Sequence, residues 1–268
     1  MSKKGIDVSK WQQNIDWQKV KADGVEFAML RAGYGKNNID EFFVRNIKEC
    51  NRLGIPCGAY WFSYAYTAEM AKQEAKYCLT AIKPYRVEYP VCYDFEYDSV
   101  NFAKKKGVKI TKGLATTLVE AFCAEVEKAR YYAMYYTNQD YATNMLDVKA
   151  LEQLDLWYAW YNATCNRSNA GLWQYSSSGK ISGINGNVDM NYANRDYPAI
   201  MRKQGLNGLK PSIRVGSRVR IMGSKYTNGV KIPESVRKGI YTVQQIKSDR
   251  ALLKEIYSWV ALKDLKQV

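Results

Sequence analysis

Over the first 195 residues, apolar and aromatic positions gather into eight short stretches. They lie at about 5–8, 25–31 (VEFAMLR), 55–62 (IPCGAYWF), 90–96 (PVCYDFE), 131–136 (YYAMYY), 155–160, 171–175 and 187–191. Their richness in aromatic and β-branched residues predicts strands. Between the first five and their successors the apolar spacing changes to i, i+3, i+4, as at Phe43/Ile47/Cys50 and Leu114/Leu118/Phe122. That spacing predicts helices over 16–23, 38–53, 67–83, 111–130 and 138–153. Thr67 as an N-cap, Gly54 after the second helix and Pro84 after the third mark their ends. The intervals after 160 and 175 are short and rich in Ser, Asn and Gly, with no room for a full helix. Five βα units followed by three strands predict an α/β fold: an irregular, TIM-like β/α barrel lacking part of its helical ring, with its active site at the C-terminal strand ends.

The pattern changes near residue 195. The stretch RDYPAIMRKQGLNGLKPS has two prolines, two glycines and no sustained period, and reads as a linker over 196–211 between a barrel domain, 1–195, and a small domain, 212–268. Beyond it, the runs SRVRIM, GIYTVQQI, RALLKEI and SWVAL alternate, broken by turns such as Asn228-Gly229. They predict a small all-β, SH3-like module.

Composition removes whole classes of chemistry. The 268 residues contain no histidine, so Ser-His-Asp and Cys-His nucleophilic sites and His-rich zinc sites are excluded. Catalysis falls to carboxylates. The net charge of +14 is uneven: residues 211–268 hold 12 Lys+Arg against 4 Asp+Glu, while residues 1–210 hold 28 against 22. A polyanionic partner for the tail is implied, whether nucleic acid, teichoic acid or another anionic surface. The six cysteines all precede residue 170 without a C-x-x-C pair, as reduced core thiols do. The first ten residues lack the apolar stretch of a signal peptide, and no run approaches ~18 apolar residues. The expectation is a protein that does not insert into membranes and waits in the cytoplasm until something else releases it.

The strongest local feature is Tyr93-Asp94-Phe95-Glu96 at the end of an apolar strand. Strand alternation puts Asp94 and Glu96 on one face, roughly 6–7 Å apart at Cβ. Two further predicted strand ends carry acids, Asp7 and Asp189, which would converge on the same barrel mouth. Around them stand Tyr60, Trp61, Tyr64, Tyr135, Trp157, Trp160, Trp173 and Tyr175, as sugar-binding faces or as barrel packing. Paired carboxylates without histidine fit glycosidic cleavage, since like charges raise one pKa and make a general acid. The bland alternatives are solvated acids at a fraying strand end and a divalent-metal site.

These segments, in order, resemble a known family. Gly5-Ile6-Asp7-Val8-Ser9-Lys10-Trp11-Gln12, Ile15-Asp16-Trp17, Phe27 to Gly33, Gly58-Ala59-Tyr60-Trp61-Phe62, Tyr93-Asp94-Phe95-Glu96, Trp173-Gln174-Tyr175 and Val188-Asp189-Met190-Asn191 are similar to family 25 glycoside hydrolases, the Chalaropsis-type lysozymes. The resemblance covers about residues 4–195. It implies an N-acetylmuramidase without a cofactor or metal, with Glu96 as general acid, Asp94 as its partner, and Asp7 and Asp189 as further active-site aspartates. Tyr60, Trp61 and Trp173 are the expected substrate-binding aromatics. The family is described as retaining, whereas a carboxylate nucleophile is expected at ~5–5.5 Å. Help from the substrate's 2-acetamido group, steadied by Asp94, would reconcile the two.

With its tail the chain resembles a phage endolysin of a Gram-positive, clostridial-type host, whose partner is peptidoglycan and associated wall polymer. Val215-Gly216-Ser217-Arg218-Val219, Tyr241-Thr242-Val243 and Ser258-Trp259-Val260 resemble endolysin wall-binding domains, and attachment to a muramidase favours the wall over nucleic acid. A binding protein without catalysis and a lytic transglycosylase are the competing readings. Self-association through an exposed strand edge of the tail is left open.

Overall fold

The structure, a computed structural model, describes residues 2–209 and 213–268. The chain divides into two compact units, one of Met1–Met201 and Gly205–Leu209, the other of Arg202–Gln204 and Lys210–Val268.

In the first unit β1 (Lys3–Val8) leads through α1 (Trp17–Ala22) to β2 (Phe27–Tyr34), extended by the short antiparallel β3 (Asn38–Ile39). Then come α2 (Phe43–Leu53), β4 (Cys57–Phe62), α3 (Ala68–Ile82) and β5 (Val91–Asp94). Two helices follow, α4 (Tyr97–Lys105) and α5 (Lys112–Lys128), before β6 (Ala133–Asn138). The strands β7 (Asp155–Ala159), β8 (Ala170–Gly179) and β9 (Val188–Ala193) complete the sheet, and α6 (Tyr197–Gln204) follows them. The order β1-β9-β8-β7-β6-β5-β4-β2 closes through the β1–β2 pairing into an eight-stranded barrel. The eight strands correspond to the eight predicted stretches. Six successive pairings are parallel, and β9 runs antiparallel to both β8 and β1. That reversal needs only a short connection, which is why the segment before β9 carries no helix.

Strand alternation divides the apolar residues between two cores. Outward residues such as Val91, Tyr93 and Tyr135 pack under the helices with Phe122 and Val126. Inward residues fill the barrel: Phe27, Tyr89 and Tyr197 at its lower end, Met29, Cys92, Met134 and Leu172 above them. Phe27 stacks on Tyr89 with ring centroids 4.4 Å apart. Gly5 is required beside them, because a Cβ there would fall 2.3 Å from the Phe27 ring.

Several expected ends are in place. Thr67 Oγ1 accepts from Met70 N at 3.2 Å, and Gly54 closes α2 with a φ of +68°. Three expectations are corrected. The helix expected over 138–153 is only a single π-type turn, Tyr141–Met145, because Asp147 accepts from the Lys149 and Ala150 N–H groups and turns the chain away. α4 was not foreseen; it starts directly after the strand that carries Asp94. The stretch expected as a linker from 196 contains α6, where Asp196 Oδ1 accepts from Ala199 N and Pro198 occupies the first turn. Tyr197 and Met201 are wholly buried in the barrel's lower end. The Tyr197 hydroxyl donates to Asp155 Oδ2 at 2.8 Å, and Asn207 joins the Tyr89 carbonyl to the Tyr132 N–H. The boundary expected at 211–212 lies outside the described residues.

The second unit is a five-stranded antiparallel sheet. Its strands are β10 (Arg218–Ile221), β11 (Tyr241–Lys247), β12 (Arg250–Leu253), β13 (Ser258–Ala261) and β14 (Leu265–Gln267), in the order β13-β12-β11-β10-β14. A four-residue α7 (Glu234–Arg237) precedes β11, and a 3-10 turn, Leu262–Asp264, precedes β14. Val219, Ile221, Val243, Leu253 and Val260 form its core. A bulge between Val243 and Gln245 bends β11.

Candidate active site

The upper end of the barrel interior is polar. A cavity of about 270 Å³ opens there, lined by Asp7, Asp94, Glu96 and Asp189 together with Arg31, Tyr60, Tyr136, Trp157 and Gln174. All four predicted acids are therefore brought together. Asp7 and Asp94 are almost fully buried, whereas Glu96 and Asp189 are half-buried. The strand carrying Asp94 stops at that residue, so Glu96 stands at the N-cap of α4, its N–H donating to Ser99 Oγ at 3.0 Å.

Register explains the rest of the lining. Asp7 pairs directly with Asp189 across β1–β9, and Asn191 pairs with Gln174 across β9–β8. Asp7 Oδ2 accepts from Asn191 Nδ2 at 2.7 Å and from Gln174 Nε2 at 2.9 Å. Both amides are held in that orientation from behind. Trp157 Nε1, which only donates, reaches Asn191 Oδ1 at 2.8 Å, and the Tyr136 and Tyr161 hydroxyls donate to Gln174 Oε1 at 3.1 and 2.9 Å. On the other side Arg31 Nε donates to the buried Asp40 Oδ2 at 2.8 Å, which also accepts from Lys10 N.

Burial and mutual repulsion push every one of these acids upward. Asp7 rises to about 8, mainly by burial and then by the Asp189 charge, against the pull of its Asn191 and Gln174 bonds. Asp189 rises to about 6 by burial. Asp94 rises well above the carboxylate range through burial, the Glu96 charge and its hydrogen bond with Glu96, with Arg31 opposing. Glu96 is raised by burial, then held back by the Asp94 hydrogen bond. One Oδ of Asp94 has no hydrogen-bond partner. Deeper burial thus holds the Asp94 carboxyl further above its ordinary value than that of Glu96.

The predicted aromatics divide by strand parity. Tyr60 and Trp157 face inward and line the cavity, their rings edge to face at 5.7 Å. Trp61 and Trp173 do not line it. Trp61 lies between inward Tyr60 and Phe62, so it points outward, donates to the Gly35 carbonyl and packs on Tyr77. Trp173 is the outward neighbour of Gln174, donates to the Trp160 carbonyl and packs on Tyr192. Sequence reasoning missed Arg31, Tyr136 and Tyr161, gave no role to Gln174 and Asn191, and overlooked the exposed Trp11 at the rim. Parity would have found two of them, because Asn191 is two residues from Asp189 and Gln174 faces it.

A second cavity, of about 420 Å³, adjoins the first and is lined by Tyr97, Asn138, Asp140 and Trp160. Glu96, Tyr136 and Tyr161 border both cavities. A chain-like ligand occupying both would cross Glu96.

A closed β/α barrel with clustered acids and a divided cleft defines a polysaccharide-cleaving enzyme. Residues 6–184 match the family model "Glycosyl hydrolases family 25", and the chain belongs to that family. It is 28% identical over 207 residues to Lysozyme M1 of Streptomyces globisporus, covering 71% of this chain and 67% of that protein. It is also similar to the solved modular autolysin LytC of Streptococcus pneumoniae in complex with a synthetic peptidoglycan ligand. That match has 31% identity and a TM-score of 0.64, and covers 71% of this chain but 46% of LytC. The bacterial lysozyme from Streptomyces coelicolor matches with 25% identity and a TM-score of 0.60, over 73% of this chain and 93% of that one. The protein is a lysozyme-type glycoside hydrolase.

Proposed function

We propose that the barrel is an N-acetylmuramidase hydrolysing the β-1,4 bond between N-acetylmuramic acid and N-acetylglucosamine, and that the whole chain acts as an endolysin at the end of phage growth. The observation that carries the first part is the placing of Glu96 on the divide between two cavities, with Asp94 lining the same cleft. Glycan units on either side put the scissile oxygen at Glu96. Glu96, protonated in the complex while Asp94 is anionic, passes its proton to the leaving oxygen as the bond from the anomeric carbon breaks. The substrate's own acetamido oxygen closes on that carbon, and anionic Asp94 accepts from the acetamido N–H and steadies the cyclic cation. Glu96, now a carboxylate, takes a proton from water as water opens the ring, and configuration is retained. Asp7, clamped by two amides, and Asp189 position the sugar. No step uses a metal.

The endolysin reading is supported by the basic second unit. Its strand order and the 3-10 turn before the last strand agree with an SH3-like, wall-binding module. In this reading the protein waits in the cytoplasm until it is released to the wall. Mass spectrometry of borohydride-reduced fragments from purified walls tests the bond assignment. New reducing ends at muramic acid are expected; ends at glucosamine or 1,6-anhydro-muramic products would replace the assignment with a glucosaminidase or a lytic transglycosylase.

A further inference from the structure

A groove of about 580 Å³ in the second unit lies between β10, the hairpin that follows it, and α7. Its lining combines exposed Met222 and buried Ile232 with the cations Arg220, Lys231, Arg237 and Lys238 and one acid, Glu234. Lys238 has an acid partner, Glu234 at 3.4 Å. Among the described residues no carboxylate lies within ion-pair distance of Arg220, Lys231 or Arg237. The hairpin adds to the imbalance, because Lys231 pairs directly with Lys225 across an isolated antiparallel bridge. Like charges placed opposite each other cost stability unless an anion lies between them. The hairpin is nevertheless held in this form, with Ile232 N donating to the Ser224 carbonyl at 2.8 Å and Tyr226 N to the Val230 carbonyl at 2.9 Å.

We infer that this groove binds the phosphodiester backbone of an anionic wall polymer, a chain in which phosphates alternate with polyol or sugar units. The inference rests on the wall-anchor reading above and supplies its ligand. Cations on facing walls engage successive phosphates through charge-assisted hydrogen bonds. The exposed Met222 side chain among them takes the carbon chain between phosphates. Single-stranded nucleic acid offers the same charge, but its binding sites stack bases on aromatic rings. No aromatic side chain lines this groove, and Tyr257 and Trp259 are not part of it.

Titration calorimetry of the full chain with a synthetic six-unit glycerol phosphate oligomer, at fixed physiological salt, tests the inference. Arg220→Gln combined with Lys231→Gln should weaken binding at least tenfold. Lys247→Gln combined with Lys263→Gln removes the same charge outside the groove and should weaken it less than twofold. Thermal unfolding of each variant checks that the unit remains folded. Equal losses in the two pairs would mean diffuse attraction and overturn the groove assignment. Tighter binding of an RNA decamer than of the oligomer would overturn it in favour of nucleic acid. Sedimentation of the full chain with purified walls separates the two levels of the argument. Retention that is unchanged after the phosphodiester polymer is stripped from the walls would sink the ligand and leave the wall anchor standing. Failure to sediment with either wall would sink the anchor itself.

Discussion

Asp7 and Asp189 face each other across a β-pair, with Asp94 and Glu96 lining the same small cavity. Their raised pKa values mean that folding takes up protons. Below about pH 4 both the folded and the unfolded chain hold these groups neutral, and the cluster costs little. As pH rises the unfolded chain ionises first, so stability falls through Asp189 near 6 and Asp7 near 8. Asp7→Asn keeps both accepted bonds, because Asn191 and Gln174 donate to the same oxygen. The variant should therefore melt several degrees above the parent at pH 8, with the difference shrinking toward zero below pH 4. Calorimetric melts across that range check it, and a variant no more stable at pH 8 would contradict the account. Glu96→Gln removes the transferable proton and should lower wall hydrolysis by ~10²–10⁴-fold. Its Tm should hold or rise, as measured by turbidity loss and melting together. The four acids were legible in the sequence because each ends an apolar run. The residues that orient them were not, because a Gln, an Asn and two Tyr gain their meaning only from cross-strand register.

At the scale of the element, α6 shows why pattern reading stopped short. Its buried residues, Tyr197 and Met201, make one i, i+4 step across Pro198, too little for a period. Its task is visible only from the barrel it closes. A chain ending at 195 leaves Phe27 and Tyr89 without their Tyr197 cover and strips Asp155 Oδ2 of one of its two hydroxyl donors, leaving only Tyr132. Uncovering a fully buried aromatic costs about 3–5 kcal/mol when it is truncated to alanine, and losing the whole helix costs at least as much. A chain ending at 195 should accordingly aggregate or melt far below one ending at 209, with circular dichroism melts as the measure. Equal melting of the two would show that the helix is dispensable. The failed helix over 138–153 teaches the converse. Apolar spacing was present there, but Asp147 captures two backbone N–H groups and turns the chain before a second turn can form.

At the scale of the whole molecule, charge and chemistry are divided between the two units. The acids that perform the proposed cleavage lie in the barrel, while residues 211–268 hold an excess of 8 positive charges. In the proposed wall-anchor reading, attraction to an anionic wall belongs mainly to the tail, and tethering raises the barrel's effective concentration at its substrate without touching its chemistry. A chain ending at 209 should cleave soluble glycan fragments at close to the full-length rate and lyse intact cells at least tenfold more slowly. The comparison needs both substrates at matched enzyme concentration, since a loss on both would point to a damaged barrel. Ionic strength then distinguishes two kinds of anchor. A diffuse electrostatic anchor loses its advantage as the screening length shrinks from about 10 Å at 0.1 M salt to about 3 Å at 1 M. A groove that grips successive phosphates and buries the carbon chain between them keeps part of its advantage. The full-length protein should therefore still lyse cells faster than the truncated chain at 0.5 M salt, by a reduced margin. Complete convergence of the two rates at that salt would reduce the tail to a charge cloud.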